Sequence, residues 1–358
     1  MAELQDLLAL APFALSEADK QPLFAAALGQ LTRHHRDHCA DYARILDVLG
    51  FDADVPHAVE DVPFLPARLF KLRRLQSVAE DQIHKVLTSS GTSGQAPSRI
   101  VLDAATASLQ SKILTRIVGD FIGKARLPML IVDGPGTVKN RNAFSARAAG
   151  ILGFSIFGRN PTYALNDDME LDWDNLDRFL AAHGDGPVLM FGFTFMVWQC
   201  FVQALQKMGR RLNLDQAVLI HGGGWKKLAD QAVDDAAFKA GLAQVGGISR
   251  VHNYYGMVEQ TGSIFMQCEA GNLHCPVFSD IVIRDAHLTP LPDGQRGLVQ
   301  LVSLLPKSYP GHVLLSEDEG TIIGTDDCPC GRPGKTFTIH GRAAMAEIRG
   351  CSDTYGGK

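Results

Sequence analysis

The chain has 358 residues, 46% hydrophobic and 20% charged, with a formal net charge of −5. That supports one large domain or two medium ones, and a mildly acidic chain without a basic stripe is not built to bind nucleic acid. No apolar run reaches the roughly 20 residues that span a bilayer. Glu3 and Asp6 stand where a secretory signal carries Lys or Arg. Seven irregularly spaced cysteines point to reduced thiols, metal ligands or a reactive cysteine rather than a disulfide framework, so the expected compartment is cytoplasmic.

Residues 1–85 read as a mostly helical segment. Ser16 is a fitting N-cap, Gly50 a fitting helix stop, and Leu23, Ala26, Ala27 and Leu31 trace one buried face. His34, His35 and His38 read as part of a solvated polar face. Pro56, Pro63 and Pro66 then break the pattern. Residues 86–280 form an α/β core: "LPMLIVDGPG", "GPVLMFGFTF", "LDQAVLIHGGG" and "SRVHNYYG" each read as a buried strand ending in a loop, with helical stretches between them. In such sheets ligands sit at the carboxyl ends of strands. Residues 281–350 read as a small β-rich lobe, from "DIVIRD", "GLVQLVSLL", "TIIGTDD" and "KTFTIHGR", and residues 351–358 as a tail.

Chemistry concentrates in three stretches. "SSGTSG" (89–94) combines hydroxyls with glycines whose backbone approaches a ligand closely, which suits phosphate oxygens; a surface loop has the same composition. No Gly-Lys-Ser/Thr follows, so it is not a Walker loop. "NYYGMVEQTG" (253–262) sets a carboxylate beside two tyrosines at a strand end. "GTDDCPCGRPGKTFTIHGR" leads into "AAMAEIRGCSD".

In order and spacing these stretches resemble the adenylate-forming superfamily of acyl-CoA ligases and acyl-protein synthetases. "LFKLRRLQS", "FGFTFMVW", "HGGGWKK", "YYGMVEQTGSIFMQCE", "LLPKSYPGH" and "EIRGCSDTY" resemble, more narrowly, the acyl-protein synthetase (LuxE) family. The resemblance implies an α/β fold: the N-terminal core of an adenylate-forming enzyme, with α/β subdomains and a small β-rich lobe, lacking the usual C-terminal domain. It implies ATP and magnesium as cofactors and a fatty or other carboxylic acid as substrate. An acyl-reductase-type protein is the implied partner.

Residue by residue, the resemblance assigns Ser89, Ser90, Gly91, Thr92, Ser93 and Gly94 to the triphosphate. Tyr255 goes to adenine, with Gly256 allowing close approach, and Glu259 to magnesium. Gly222, Gly223 and Gly224 are either the wall against which adenine lies or a tight strand-to-helix turn. Asp326 and Arg342 match the ribose-binding positions. Two departures stand out. Val258 replaces a usual Thr, and Ser98-Arg99 replaces Pro-Lys, leaving Arg99 as the candidate cation. "VLMFGFTFMVW" is either an acyl slot or an ordinary buried strand.

The resemblance makes Cys351 the acyl acceptor on a short tail, near Arg349, which would raise its thiolate fraction. Cys268 and His274, with Cys328 and Cys330 of "CPCG", have the ligand types of a tetrahedral zinc site, with Cys275 competing and buried free thiols as the other reading. Cys39 and Cys200 read as packing residues. Competing functions are an acyl- or aryl-CoA or carrier-protein ligase and a catalytically inactive nucleotide-binding protein.

Overall fold

The computed structural model describes residues 2–89, 97–139, 146–225 and 232–343. Helix α1 (Ala2–Ala9) is followed by α2 (Glu17–His38) and α3 (Ala40–Leu49). Ser16 caps α2 as expected. Its hydroxyl accepts from the Asp19 N–H at 3.2 Å, meeting one of the donors a helix start leaves over. Gly50 stops α3 at φ +63°, a left-handed turn open to glycine at no steric cost. The expected single helix is two, because Cys39 takes an extended backbone between them.

The buried stripe of α2 is rotated from the one expected. It runs through Phe24, Ala27, Leu28, Leu31 and His35, while Leu23 is 38% exposed and Ala26 faces solvent. Helical spacing from Phe24 carries His35 into the core, so His35 does not belong to a solvated face. Its Nδ1 meets Ser77 Oγ at 2.8 Å and its Nε2 the Pro306 carbonyl at 3.0 Å. Burial holds it well below the usual histidine range, hence neutral.

The chain continues through β1 (Leu65–Pro66), α4 (Leu69–Leu72), β2 (Ile83–Thr88), β3 (Arg99–Asp103) and α5 (Ala104–Ile122). Next come β4 (Leu127–Val132), α6 (Gly136–Lys139), α7 (Ala146–Phe154), β5 (Gly158–Tyr163), α8 (Trp173–His183) and β6 (Val188–Phe193). A short α9 (Thr194–Met196), a π-helical stretch at Val197–Gln203, α10 (Ala204–Met208), β7 (Ala217–Gly222), α11 (Asp235–Gly246) and β8 (Arg250–Tyr255) follow. The last strands are β9 (Phe265–Gln267), β10 (Leu273–His274), β11 (Ser279–Arg284), β12 (Gly297–Ser303), β13 (Val313–Thr325) and β14 (Lys335–Arg342).

Two compact units result, one drawn from residues 1–120 and 256–347, the other from 121–255. In the second, β8, β7, β6, β4 and β5 lie side by side and parallel. Every residue of β6 and β7 is buried, as expected for strands covered on both faces. In the first unit, β11, β12, β13, β14, β10 and β9 are neighbours in that order, antiparallel, with β1 parallel to β13. The N-terminal helices belong to this same unit. Strands β2 and β3 pair only with each other.

A buried charge cluster ties α2 to this sheet. The Asp280 carboxylate is fully buried and lies 3.7 Å from Lys20 Nζ and 3.1 Å from Lys335 Nζ. Gln21 donates to it at 2.7 Å, and Lys20 also donates to the Ser279 carbonyl at 2.8 Å. Burial pushes the Asp280 pKa up, but the two lysines win and hold it below the usual carboxylate range. Its contribution to stability is therefore present above the unfolded-state pKa and is lost as pH falls through the lower folded one. Asp280→Asn leaves Lys20 and Lys335 with Glu17, at 3.8 and 3.2 Å, as their remaining carboxylate and should cost about 3–5 kcal/mol in urea unfolding at neutral pH, with a shallower acid-side loss of stability. A cost below about 1 kcal/mol, the range of exposed pairs, would show that the cluster is not holding α2.

Candidate active site

Glu259 follows β8 on the short 3-10 turn Val258–Gln260 and is 7% exposed. Its Oε1 accepts a 2.6 Å hydrogen bond from Ser98 Oγ, and its backbone carbonyl accepts one of 2.8 Å from Tyr309 Oη. Gln260 anchors the turn by donating from Nε2 to the carbonyls of Leu301, Gly311 and His312. Gly262 closes it at φ +88°, where a Cβ would lie 2.7 Å from the Gln110 carbonyl oxygen, so no other residue fits without movement. Burial raises the Glu259 pKa, and the Ser98 hydrogen bond opposes the rise.

Ser98 also fixes the base of the Ser/Thr/Gly loop. Its N–H donates to Ser89 Oγ at 2.8 Å, and the Ser89 N–H donates to its carbonyl at 3.3 Å. The loop is the connection of the β2–β3 hairpin, with Thr88 opposite Arg99. Of its expected phosphate-binding residues only Ser89 is described; Ser90, Gly91, Thr92, Ser93 and Gly94 lie outside the described residues. Strand alternation turns Ser98 inward and leaves Arg99 exposed, so the structure brings Ser98, rather than Arg99, to Glu259. Ser98 was legible only as the neighbour of a cation.

Arg342 ends β14 and meets Glu317 Oε2 at 3.0 Å and Asp318 Oδ1 at 4.0 Å. In the β13–β14 register Asp318 lies directly opposite Arg342. The charges of Glu317 and Arg342 both reach Glu259, the first raising and the second lowering its pKa. Asp326 is elsewhere in this unit. Its carboxylate accepts from the Glu17 N–H at 2.9 and 3.1 Å, at the start of α2, and from the Gly334 N–H at 2.7 Å. The structure therefore does not bring Asp326 to Arg342; the acids there are Glu317 and Asp318 of "SEDEG", which only hairpin register could single out.

In the other unit, Gly222 ends β7 and Gly223 follows at φ +78°. A Cβ on Gly222 would collide with the Tyr254 ring, and one on Gly223 would come 2.9 Å from Phe193 Cδ1. Gly222 and Gly223 are thus packed against aromatic rings, and Gly224 is exposed. Tyr255 is half-buried at the end of β8, and Gly256 is exposed. The apolar run at 188–193 is the interior strand β6, paired with β4 and β7. Phe191 stacks 4.6 Å from Phe154, which lies 4.8 Å from Tyr254. His221 at the end of β7 meets Thr194 Oγ1 at 2.9 Å, and burial lowers its pKa to about 3.

Cys268, His274, Cys328 and Cys330 do come together in the first unit, with ligand atoms within 4.8 Å of one another. Cys275 is not among them. Cys39 and Cys200 are buried, as packing residues should be. Cys351 lies outside the described residues. No helix among the described residues is long and apolar enough to cross a membrane.

Comparison with known proteins agrees with this architecture. The chain is 24% identical to the long-chain-fatty-acid–luciferin-component ligase of Vibrio harveyi, over 98% of this chain and 92% of that one. For the corresponding ligase of Aliivibrio fischeri the identity is 23%, over 84% and 79%. Among solved structures, 2-hydroxyisobutyryl-CoA ligase in its postadenylation state superposes with a TM-score of 0.69 at 17% identity, over 92% of this chain and 69% of that one. An open conformation of the same ligase gives 0.71 at 18%, over 92% and 71%. The likeness confirms the expected adenylate-forming fold. With a match to the acyl-protein synthetase family LuxE across residues 1–358, the chain belongs to that family and is a ligase.

Proposed function

We propose that this ligase activates a long-chain fatty acid with ATP and carries the acyl group as a thioester on its own Cys351. The observation that carries the nucleotide half is the buried Glu259 carboxylate, hydrogen-bonded at the root of the Ser/Thr/Gly loop. The acid is inferred from the substrates named for the Vibrio and Aliivibrio ligases.

A carboxylate oxygen of the acid attacks the α-phosphorus of ATP. The bond from that phosphorus to the oxygen bridging the α- and β-phosphates breaks, and pyrophosphate leaves with the electron pair. Both reactants are anions, so donors and cations must offset their repulsion. Ser89, Ser90, Thr92 and Ser93 donate to the phosphates, with Gly91 and Gly94 letting the backbone close on them. Magnesium suits Glu259, because that ion takes hard oxygens from one or two carboxylates together with substrate phosphates. When bound, it would neutralise charge on the phosphate oxygens. Ser98 orients the Glu259 carboxylate, while Arg342 and Asp318 fit ribose hydroxyls better than Asp326, whose oxygens are committed to backbone N–H groups. The adenine roles that the family resemblance implies for Gly222, Gly223, Gly224, Tyr255 and Gly256 are proposals of the same kind. In the second half-reaction the Cys351 thiolate attacks the acyl carbonyl, the bond to the phosphate oxygen breaks, and AMP leaves. A reductase would then accept the acyl group.

Intact-protein mass spectrometry tests the whole sequence. With ATP, magnesium and mixed fatty acids, the wild type should gain an acyl-sized, hydroxylamine-sensitive mass, and Cys351→Ser should gain none. An unchanged gain on Cys351→Ser would overturn the acceptor. Glu259→Gln should lose acid-dependent pyrophosphate release by about 100-fold or more, as when a preorganised electrostatic group is removed.

Magnesium–ATP binding should strengthen as pH rises through the elevated Glu259 pKa, because the ion needs the carboxylate. Ser98→Ala removes a hydrogen bond to the charged form, so calorimetry across pH should show the midpoint moving further up. An unmoved profile would take Ser98 out of the site.

A further inference from the structure

We infer that Cys268, His274, Cys328 and Cys330 hold a structural zinc ion that locks the β13–β14 connection to the β9–β10 hairpin. Cys268 follows β9, and its N–H bonds the Asn272 carbonyl at 2.9 Å to close a tight turn. His274 ends β10. Cys328 and Cys330 sit in the connection between β13 and β14, where the Gly331 N–H folds back to the Cys328 carbonyl at 3.0 Å. Strand β10 pairs with β14, His274 opposite Thr336, and so sets the two turns side by side.

The dimensions of the cluster fit the ion. Zinc–sulfur bonds of about 2.3 Å at a tetrahedral angle put two sulfurs about 3.8 Å apart, and sulfur and nitrogen about 3.6 Å apart. The Cys268 and Cys328 sulfurs are 3.7 Å apart, and Cys330 Sγ is 3.3 Å from His274 Nε2. A disulfide needs about 2.05 Å. Donors surround the sulfurs as they do around metal-bound thiolates: Asn272 Nδ2 lies 3.5 Å from Cys328 Sγ, and the Arg332 N–H 3.5 Å from Cys330 Sγ. Three thiolates, one neutral imidazole and the ion leave one negative charge, beside the Arg332 guanidinium that Asp120 and Glu269 also hold.

Four protein ligands leave no open position, so the ion is structural rather than catalytic. Cys275 is excluded by strand geometry. Side chains alternate, and its own lies in the neighbourhood of Lys20, Asp280 and Lys335. The locked connection also carries Asp326, which accepts from the first N–H of α2, and Arg332, which pairs with Asp120 at 3.0 Å and Glu269 at 2.8 Å. Each thiol loses its proton as its zinc–sulfur bond forms.

The test is elemental analysis and zinc-edge X-ray absorption on the full chain, purified without chelators. The expected result is a single zinc ion per chain, with three sulfurs at about 2.3 Å and one nitrogen at about 2.0 Å. The Cys328→Ser, Cys330→Ser double variant should lose the metal, and Cys275→Ser should keep it. Zinc-free or iron-loaded wild type would overturn the assignment, as would a metal that stays in the double variant or leaves with Cys275. Because the absorption measurement needs only the wild type, a variant that fails to fold does not protect the proposal. Chelation of the wild type should also expose the Lys335–Thr336 bond at the end of this connection to trypsin, Arg332 being protected by Pro333; an unchanged digest would refute the locking role.

Discussion

Burying a carboxylate without water is among the most expensive things a fold can do, and Asp280 is fully buried. The cost is offset only if Lys20, Lys335 and Gln21 all arrive, so α2, β11 and the first residue of β14 must meet at one point. That requirement sets the position of β14. With Lys335 fixed at one end, the antiparallel register brings Arg342 at the other end opposite Asp318. The placement of Arg342 and Asp318 is thus inherited from a buried charge cluster at the other end of the hairpin. The Asp326 carboxylate does the same for the preceding connection by gripping the start of α2.

How much of this was legible depended on whether a pattern was local. Of the parallel strands of the second unit, β4, β6 and β7 were plain, because strands covered on both faces need unbroken apolar runs such as "AVLI" and "VLMF", whereas the edge strand β5, "GRNPTY", is polar and largely exposed and gave no such run. The helix caps at Ser16 and Gly50 were plain too, since capping is a matter of one or two residues. The α2 stripe was not. Leu23 and Ala26 fit helical spacing with the buried Ala27 and Leu31 as well as Phe24 and Leu28 do, and only the tertiary neighbours decide between them. His35 was misjudged for a related reason: a polar residue reads as exposed until a Ser77 hydroxyl and the Pro306 carbonyl are known to await it.

The site followed the same rule. Glu259 stood out because a carboxylate beside aromatic residues at a strand end is locally odd. The partner of Arg342 could not stand out, since Glu317, Asp318, Glu319, Asp326 and Asp327 all precede it. Choosing Glu317 and Asp318 requires the register of a hairpin. Ser98 required knowing which face of β3 turns inward. The cysteine cluster was half-legible: its ligand types showed in the sequence, while the pairing of β10 with β14 that joins its two halves did not.

One feature bears on how the chain is made. Residues 121–255 close on themselves: Arg250 donates to the Phe121 carbonyl at 3.1 Å, and the His252 and Phe121 rings lie 5.2 Å apart. The other unit is interrupted by this segment, and β1 pairs with β13 across some 250 residues of chain. A nascent chain can therefore finish the parallel sheet while its N-terminal helices still lack their sheet, leaving the apolar face of α2 uncovered until β11–β14 emerge. During synthesis the oldest part of the polypeptide is the last to be sheltered, and that interval is when aggregation competes with folding.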